Sequence, residues 1–317
     1  MPGSADQMLS AVLPPSRRHL LAVAREVTRS SEAWLREYPI VKRPSVTAAC
    51  GLIAAVAMPC LAIPELELLA RWGLWLFAVD DVLDDLDRAD EPVAAWVRRF
   101  ARDLPGDPGD ADPLRAALGS IHSDLGRYPL YPALGARWRA GMAGMVRGML
   151  LERDWSRAPL TGQPGYAAYL RNATITIAVL PCTVTAAILA GEPAAIGEFP
   201  VLEPMIRTAA RCFRLANDLG SEVRERAEGK LNAVSLLQRD YRARGLRDQD
   251  AARAARGRLR QICAADLAYL DSAQRTAPAA LATMARFLWS HTSFVWNMYQ
   301  IGDCDALSAV PLQELPL

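Results

Sequence analysis

The stretch "FAVDDVLDDLDRAD", Phe77 to Asp90, gathers Asp80, Asp81, Asp84, Asp85 and Asp87 behind an almost uncharged lead-in. Upstream, Pro64 suits the first turn of a helix, and Glu65 and Glu67 fall where the helix dipole favours acids. The aspartates therefore sit at the C-terminal end, where the dipole and their mutual repulsion both oppose them. A solvated helix end would carry Lys or Arg instead. Asp80 and Asp84 are one turn apart, about 6 Å along the axis and on one face, so both can reach one hard cation such as Mg²⁺. A cation turns the repulsion into attraction. Asp81 completes the simplest ligand set, while Asp85 and Asp87 flank it. On its own the pattern also describes an acidic surface turn. Phe77 and the Trp72-to-Leu76 run place it instead at the rim of an apolar space.

A second oxygen-rich set lies in "RCFRLANDLGSEVRERAEGKLNAV", residues 211–234. Asn217, Ser221 and Glu225 follow one another every four residues, so they share a helix face with a drift of only about 80°. Helical side chains lean toward the N-terminus, which lets Glu225 reach back toward Ser221 and Asn217. Amide, hydroxyl and carboxylate oxygens form a hard donor set, suited to Mg²⁺ and not to zinc. Arg224 and Lys230 are nearby cations for phosphates that Mg²⁺ brings in.

Together, "DDVLD" (80–84) and "NDLGSEVRE" (217–225) resemble the two Mg²⁺ motifs of class I terpene cyclases, the bacterial branch in particular. The segment "GMLLERDWSRAPLTGQPGYAAYLRNATITIAVLP" (148–181) resembles the family's central helices, whose diphosphate-sensing arginine falls 46 positions before the triad's Asn, at Arg171. The resemblance implies one all-α helical bundle over 1–317 around an apolar active-site cavity, with the ends 1–15 and 306–317 flexible. It also implies three Mg²⁺ ions and a prenyl diphosphate substrate whose allylic bond ionises before cyclisation. In this reading Asp80, Arg171, Asn217, Ser221 and Glu225 are catalytic. Asp80, Asp81, Asp84, Asn217, Ser221 and Glu225 hold metal, and Arg171, Arg224 and Lys230 bind diphosphate. Trp72, Phe77, Phe213, Trp289, Trp296 and Tyr299 are the aromatic candidates for the cavity wall, where ring faces attract cations.

Two departures from the family pattern stand out. No arginine precedes Tyr299 in "FLWSHTSFVWNMYQIGDCD", and the expected helix break after Arg171 reads Thr174-Ile175 where the family often has Gly. This ending is closer to bacterial diterpene cyclases, which favours a C20 geranylgeranyl or labdane-type diphosphate over C15 farnesyl diphosphate. A homodimer would be in keeping with the family.

The rest of the chain is consistent with that expectation. Helix formers dominate and strand-like alternation is nearly absent, predicting helices near 16–36, 46–60, 64–87, 91–103, 111–124, 131–154, 164–190, 202–227, 247–274 and 278–300. The formal charge of +1, from 36 Lys+Arg against 35 Asp+Glu, offers no global field for nucleic acid. Six cysteines without a CxxC pair argue against zinc and against a disulfide framework, which predicts a reducing, cytoplasmic setting. The uncharged stretches Pro44–Pro64 and Asn172–Gly191 contain proline and hydroxylated residues and lack basic flanks, so buried helices are expected and not membrane spans. Two alternatives remain: a chain-elongating prenyl diphosphate synthase, which would carry a second DDxxD in place of the triad, and a helical membrane or scaffold protein.

Overall fold

The structure, a computed structural model, describes residues 17–301 apart from Pro44 and Pro105. The expectation for the chain ends lies outside these residues. Among the described residues there is no strand. The helices are α1 (Arg17–Glu37), α2 (Ser45–Ala57), α3 (Ile63–Leu83), α4 (Asp90–Arg102), α5 (Pro113–Leu125), α6 (Tyr131–Arg157), α7 (Tyr166–Thr176) and α8 (Val179–Ala190). The series continues with a short α9 (Ala194–Gly197), then α10 (Phe199–Ala227), α11 (Ala233–Ala243), α12 (Asp248–Thr276) and α13 (Ala282–Ile301).

One apolar core draws on residues from Val27 in α1 to Leu288 in α13 and includes Trp75, Phe100, Trp138, Phe199 and Phe287. Helix α3 packs on α1, α2, α5 and α8, whereas α10 packs on α12, α13, α7 and α8. The most apolar helices, α2 and α8, have no wet face to preserve. In α8, every residue from Val179 to Leu189 except Leu180 is buried, the hydroxyls of Thr183 and Thr185 bonding back to Val179 O and Pro181 O at 2.7 and 2.9 Å.

Helix ends shift by up to four residues from the sequence reading, and three differences bear on the site. The helix expected over 64–87 stops at Leu83, with Asp84 as its cap. The helix expected over 164–190 is two helices, broken at Ile177–Ala178 with Ala178 at φ +63°. Pro181 accounts for the position: it has no N–H for the carbonyl four residues earlier, that of Ile177, and its ring excludes a continuous helix there. The break thus falls three residues after Thr174-Ile175. Helix α11 was not expected; Asn232 caps it by accepting from Val234 N at 2.8 Å, and Ala233, Val234, Leu236 and Leu237 bury its inner face. The segment Tyr166–Ala190 is long and apolar enough to cross a membrane by composition, yet 72% of its most apolar window is buried within the fold.

Candidate active site

A cavity of about 220 Å³ opens between α2, α3, α6, the α7–α8 break, α10 and α13. Its mouth is polar: Asp80 and Asp84 from α3, Asn217, Arg224 and Glu225 from α10, and Lys230 just beyond it. Lys230 Nζ lies 3.0 Å from Asp84 Oδ2 and 2.9 Å from Glu228 Oε2, joining the two motifs across the opening. Deeper in, the wall turns apolar, with Trp72, Phe77, Phe213, Phe287 and Val295.

The aspartate side is held from behind. Asp84 N–H donates to Asp80 O at 2.8 Å, so the helical turn joining the two carboxylates survives although the helix ends. The buried guanidinium of Arg153 donates to Leu83 O at 3.1 Å, Asp85 O at 2.6 Å and Arg88 O at 2.5 Å. Arg157 adds a bond to Leu86 O. These carbonyls include the negative end of α3, and Arg153 is the cation that the local sequence withholds. Burial pushes the Asp80 carboxyl well above its usual range, and neighbouring Asp84 adds to this, with Lys230 and Arg214 offsetting part of it. Asp81 points elsewhere, about 100° round the helix, and pairs with Arg43 at 3.1 Å. Asp85 accepts from Arg88 Nε at 3.0 Å, and Asp87 is exposed.

On the α10 side, each predicted ligand already has a protein partner. Asn217 Nδ2 donates to the Tyr299 hydroxyl at 2.6 Å. Ser221 Oγ donates to Asn217 O at 2.7 Å and is buried outside the cavity lining. Glu225 Oε2 accepts from Asn232 Nδ2 at 2.8 Å. Burial, reinforced by the charge of Asp218 and opposed by Arg214, lifts the Glu225 carboxyl to about 7. Gly220 lets Tyr299 approach, since a Cβ there would lie 2.6 Å from Tyr299 Cδ1.

Behind this face lies a network that sequence reasoning missed. Arg214 Nε lies 2.8 Å from Asp218 Oδ1 and its Nη1 is 3.5 Å from Glu152 Oε2, and it donates to the Tyr169 hydroxyl. Tyr169 in turn donates to Asp218 at 3.0 Å, and Ala233 N–H of α11 donates to the same carboxylate at 2.9 Å. Arg214 and Asp218 have the i, i+4 spacing of an ordinary surface pair, so only their burial sets them apart.

Besides Asp81 and Ser221, three predicted residues are not brought to the cavity. Arg171 is exposed on α7, about 140° round the helix from Thr176, the residue there that lines the space. On α13 the lining positions are Phe287, His291, Val295, Met298 and Tyr299, a phase that turns Trp289 into the main core and Trp296 into the core beneath α7, α10 and α12. Trp72, Phe77, Phe213 and Tyr299 all line the cavity as expected from their apolar runs.

These residues fit a hard divalent cation. Burial and the neighbouring Asp84 make ionisation of Asp80 costly, a cost that a cation would relieve, and the facing donors are oxygens. Among the described residues no three His, Cys, Asp or Glu side chains cluster as a metal site by themselves. The donor set is therefore of the kind Mg²⁺ prefers, one or two carboxylates with the shell completed by water and phosphate.

A family model described as terpene synthase family 2, C-terminal metal binding, matches residues 71–266, more than half the chain. The chain belongs to the terpene synthase family. It is 30% identical over 224 residues to an ent-pimara-9(11),15-diene synthase from a Streptomyces species, covering 68% of this chain and 74% of that one. Among solved structures, 2-methylisoborneol synthase from Streptomyces coelicolor, in complex with Mg²⁺ and 2-fluoroneryl diphosphate, matches with TM-score 0.68 at 22% identity over 88% of this chain and 90% of its own. Linalool/nerolidol synthase from Streptomyces clavuligerus matches with TM-score 0.63 at 19% identity, over 88% and 94%. These two likenesses show the all-α terpene synthase fold. The chain is thus a terpene synthase enzyme of a metal-binding family.

Proposed function

We propose that this terpene synthase is a Mg²⁺-dependent class I cyclase, a single catalytic domain acting on a C20 prenyl diphosphate, geranylgeranyl or labdane-type, ahead of C15 farnesyl diphosphate. One observation carries the reading: Asp80 and Asp84 of one motif and Asn217 and Glu225 of the other line one cavity, and the Asp84–Lys230 ion pair spans its mouth at 3.0 Å. The C20 preference is supported by the diterpene synthase relative at 30% identity. The diphosphate analogue bound by the S. coelicolor enzyme supports the substrate class. The alternative of a chain-elongating synthase has no second DDxxD to support it.

Asp80 and Asp84 would hold metal on one side, Asp81 joining them only on leaving Arg43, and Asn217, Ser221 and Glu225 on the other. Mg²⁺, as three ions, supplies Lewis-acid stabilisation of the charge that grows on the departing diphosphate. Lys230 and Arg224 at the mouth bind phosphate oxygens through charge-assisted hydrogen bonds. Arg171 would join them by turning inward from the surface of α7. Below, Trp72, Phe77 and Phe213 exclude water and present ring faces to the cation formed, each worth about 0.5–2 kcal/mol. A soluble, reducing setting is consistent with Cys50, Cys60, Cys182, Cys212 and Cys263 being free thiols.

The test is incubation with Mg²⁺ and C10, C15, C20 and bicyclic C20 diphosphates, reading diphosphate release and hexane-extractable terpene by mass spectrometry. A C20 substrate is expected to turn over best. Asp80→Ala and Asn217→Ala should each lower turnover by on the order of 10³-fold with helical circular dichroism unchanged, as expected for loss of metal-assisted catalysis. Full activity in both variants, or no turnover of any prenyl diphosphate, would overturn the proposal.

A further inference from the structure

His291 is given no role by the reading above. It stands on α13 one turn from Phe287 and one turn from Val295, and all three line the cavity. Its ring meets Phe213 edge-on with centroids 4.6 Å apart and Phe287 at 5.3 Å. No hydrogen bond or ion pair to the described residues engages its nitrogens. They have only the cavity to serve.

Its depth separates it from the diphosphate end. Tyr299, whose hydroxyl receives Asn217 Nδ2 at 2.6 Å, marks the mouth on the same helix. His291 lies eight residues earlier, about 12 Å along the axis. Other polar groups on the wall are occupied or poorly basic. Glu152 already accepts from Thr176 Oγ1 at 2.7 Å and Asn172 Nδ2 at 3.1 Å and faces Arg214. The Cys182 thiol, pushed up to about 12 by burial, offers only a weak sulfur acceptor. Burial draws the His291 imidazole down to about 4, so near neutral pH it is uncharged and keeps a free lone pair.

Resting on the cyclase reading, we infer that His291 is the base that ends the reaction by taking a proton from the carbon next to the final cationic centre. The C–H electron pair becomes the new C=C π bond, the cation is neutralised, and the proton resides on the ring as imidazolium. Phe213 and Phe287, in contact with the ring, stand beside that charge in place of water. The proton passes to water once product leaves. Nothing is oxidised or reduced. A weak base suffices, because a C–H beside a carbocation is far more acidic than imidazolium.

The test uses the full chain with geranylgeranyl diphosphate and Mg²⁺, reading diphosphate release and the hexane extract together. His291→Asn and His291→Phe are expected to keep diphosphate release within about threefold of the parent, since ionisation occurs at the mouth. The main alkene should fall at least about tenfold as a share of product, replaced by alcohols or by alkenes from earlier proton loss. In His291→Gly, added imidazole should restore the parental alkene, whereas pyrrole, similar in shape but not basic, should not. An unchanged product profile in both the Asn and Phe variants, an alcohol as the parent's main product, or equal restoration by imidazole and pyrrole would overturn the inference while leaving the cyclase reading intact. Absence of diphosphate release by the parent would instead remove the cyclase reading for this substrate, and this inference with it.

Discussion

The two sides of the cavity mouth hold their ligands in opposite ways. On the α3 side the protein grips mainly the backbone: Arg153 binds three carbonyls at and just beyond the end of the helix, and the Asp80 carboxyl faces the cavity beside Asp84, whose own partner is Lys230 from across the mouth. On the α10 side it grips the side chains themselves, through Tyr299, Asn232 and the Arg214–Asp218–Tyr169 network. The first arrangement makes ionisation of Asp80 costly, a cost that a cation relieves. The second fixes rotamers in advance, so little side-chain entropy is lost on binding. The two sides should accordingly respond differently to mutation, to pH and to metal.

Arg153→Ala tests the backbone grip and carries the largest expected effect. It leaves three carbonyls without their cationic donor in a buried place, and destabilisation of about 3–5 kcal/mol is expected from denaturant unfolding. Arg153→Lys should recover only part of this, since one ammonium cannot reproduce the planar fork that meets three separate oxygens. If Arg153→Ala unfolds with an unchanged midpoint, the α3 end is held by something other than this clamp.

The α10 side has its own signature in pH. The Glu225 carboxyl is lifted from 4.5 to about 7 in the fold. Between those values the folded state holds a proton that the unfolded chain has lost. Its contribution is fully present below pH 4.5 and disappears as pH rises through 7, on the order of 3 kcal/mol in all. Melting of metal-free protein across pH 5 to 8 should show this decline, and Glu225→Gln should flatten it. A slope equally steep in the Gln variant would move the titration to another buried acid.

The fold was legible where helical period and punctuation decide it, and so was the core of the site. Asp80 and Asp84 are paired by a spacing of four, and Asn217 and Glu225 by two steps of four, spacings that keep each pair on one helix face, and all four line one cavity. What stayed hidden depends on contacts distant in sequence. The carbonyl at the stop, Leu83 O, is met by Arg153, some 70 residues on. Arg214 reads as a surface partner of Asp218 until Tyr169, 45 residues earlier, closes over it. Helix phase could have excluded Trp289 and Trp296 had the lining face of α13 been known, yet an aromatic-rich helix offers no polar stripe from which to read it. The α7–α8 break was partly readable: Pro181 marks Ile177 by the i−4 rule, whereas the family resemblance drew attention to Thr174-Ile175.

Tyr299→Phe isolates one of the side-chain grips. The variant keeps the ring against Gly220 but removes the acceptor for Asn217 Nδ2. Loss of one hydrogen bond that orients a ligand is worth about 1–1.5 kcal/mol, which should appear as roughly a tenfold rise in the Mg²⁺ concentration needed for half-maximal turnover. Melting temperature should barely move. Gly220→Ala should give a similar metal defect by a different route, pushing the whole ring away, with added loss of stability from overpacking. Unaltered metal dependence in both would mean that Asn217 needs no pre-orientation, and the contrast between the two sides would shrink to one of burial.

The smallest expected effect lies at the junction between the sides, where α7 gives way to α8. Ala178 sits at φ +63°, a conformation costing an L-residue about 1–2 kcal/mol that glycine adopts freely. Glycine also gains entropy in the unfolded chain, which offsets part of the relief. Ala178→Gly should therefore be neutral to stabilising by about 1 kcal/mol in denaturant unfolding, instead of the loss expected for glycine inside a helix. Because Ile177 and Ala178 both line the cavity, the product profile of the same variant reads whether the break is only a hinge imposed by Pro181 or also shapes the space the cation occupies. Destabilisation by the full helical penalty would show that Ala178 is helical in solution, and the two apolar segments would then join into one continuous wall.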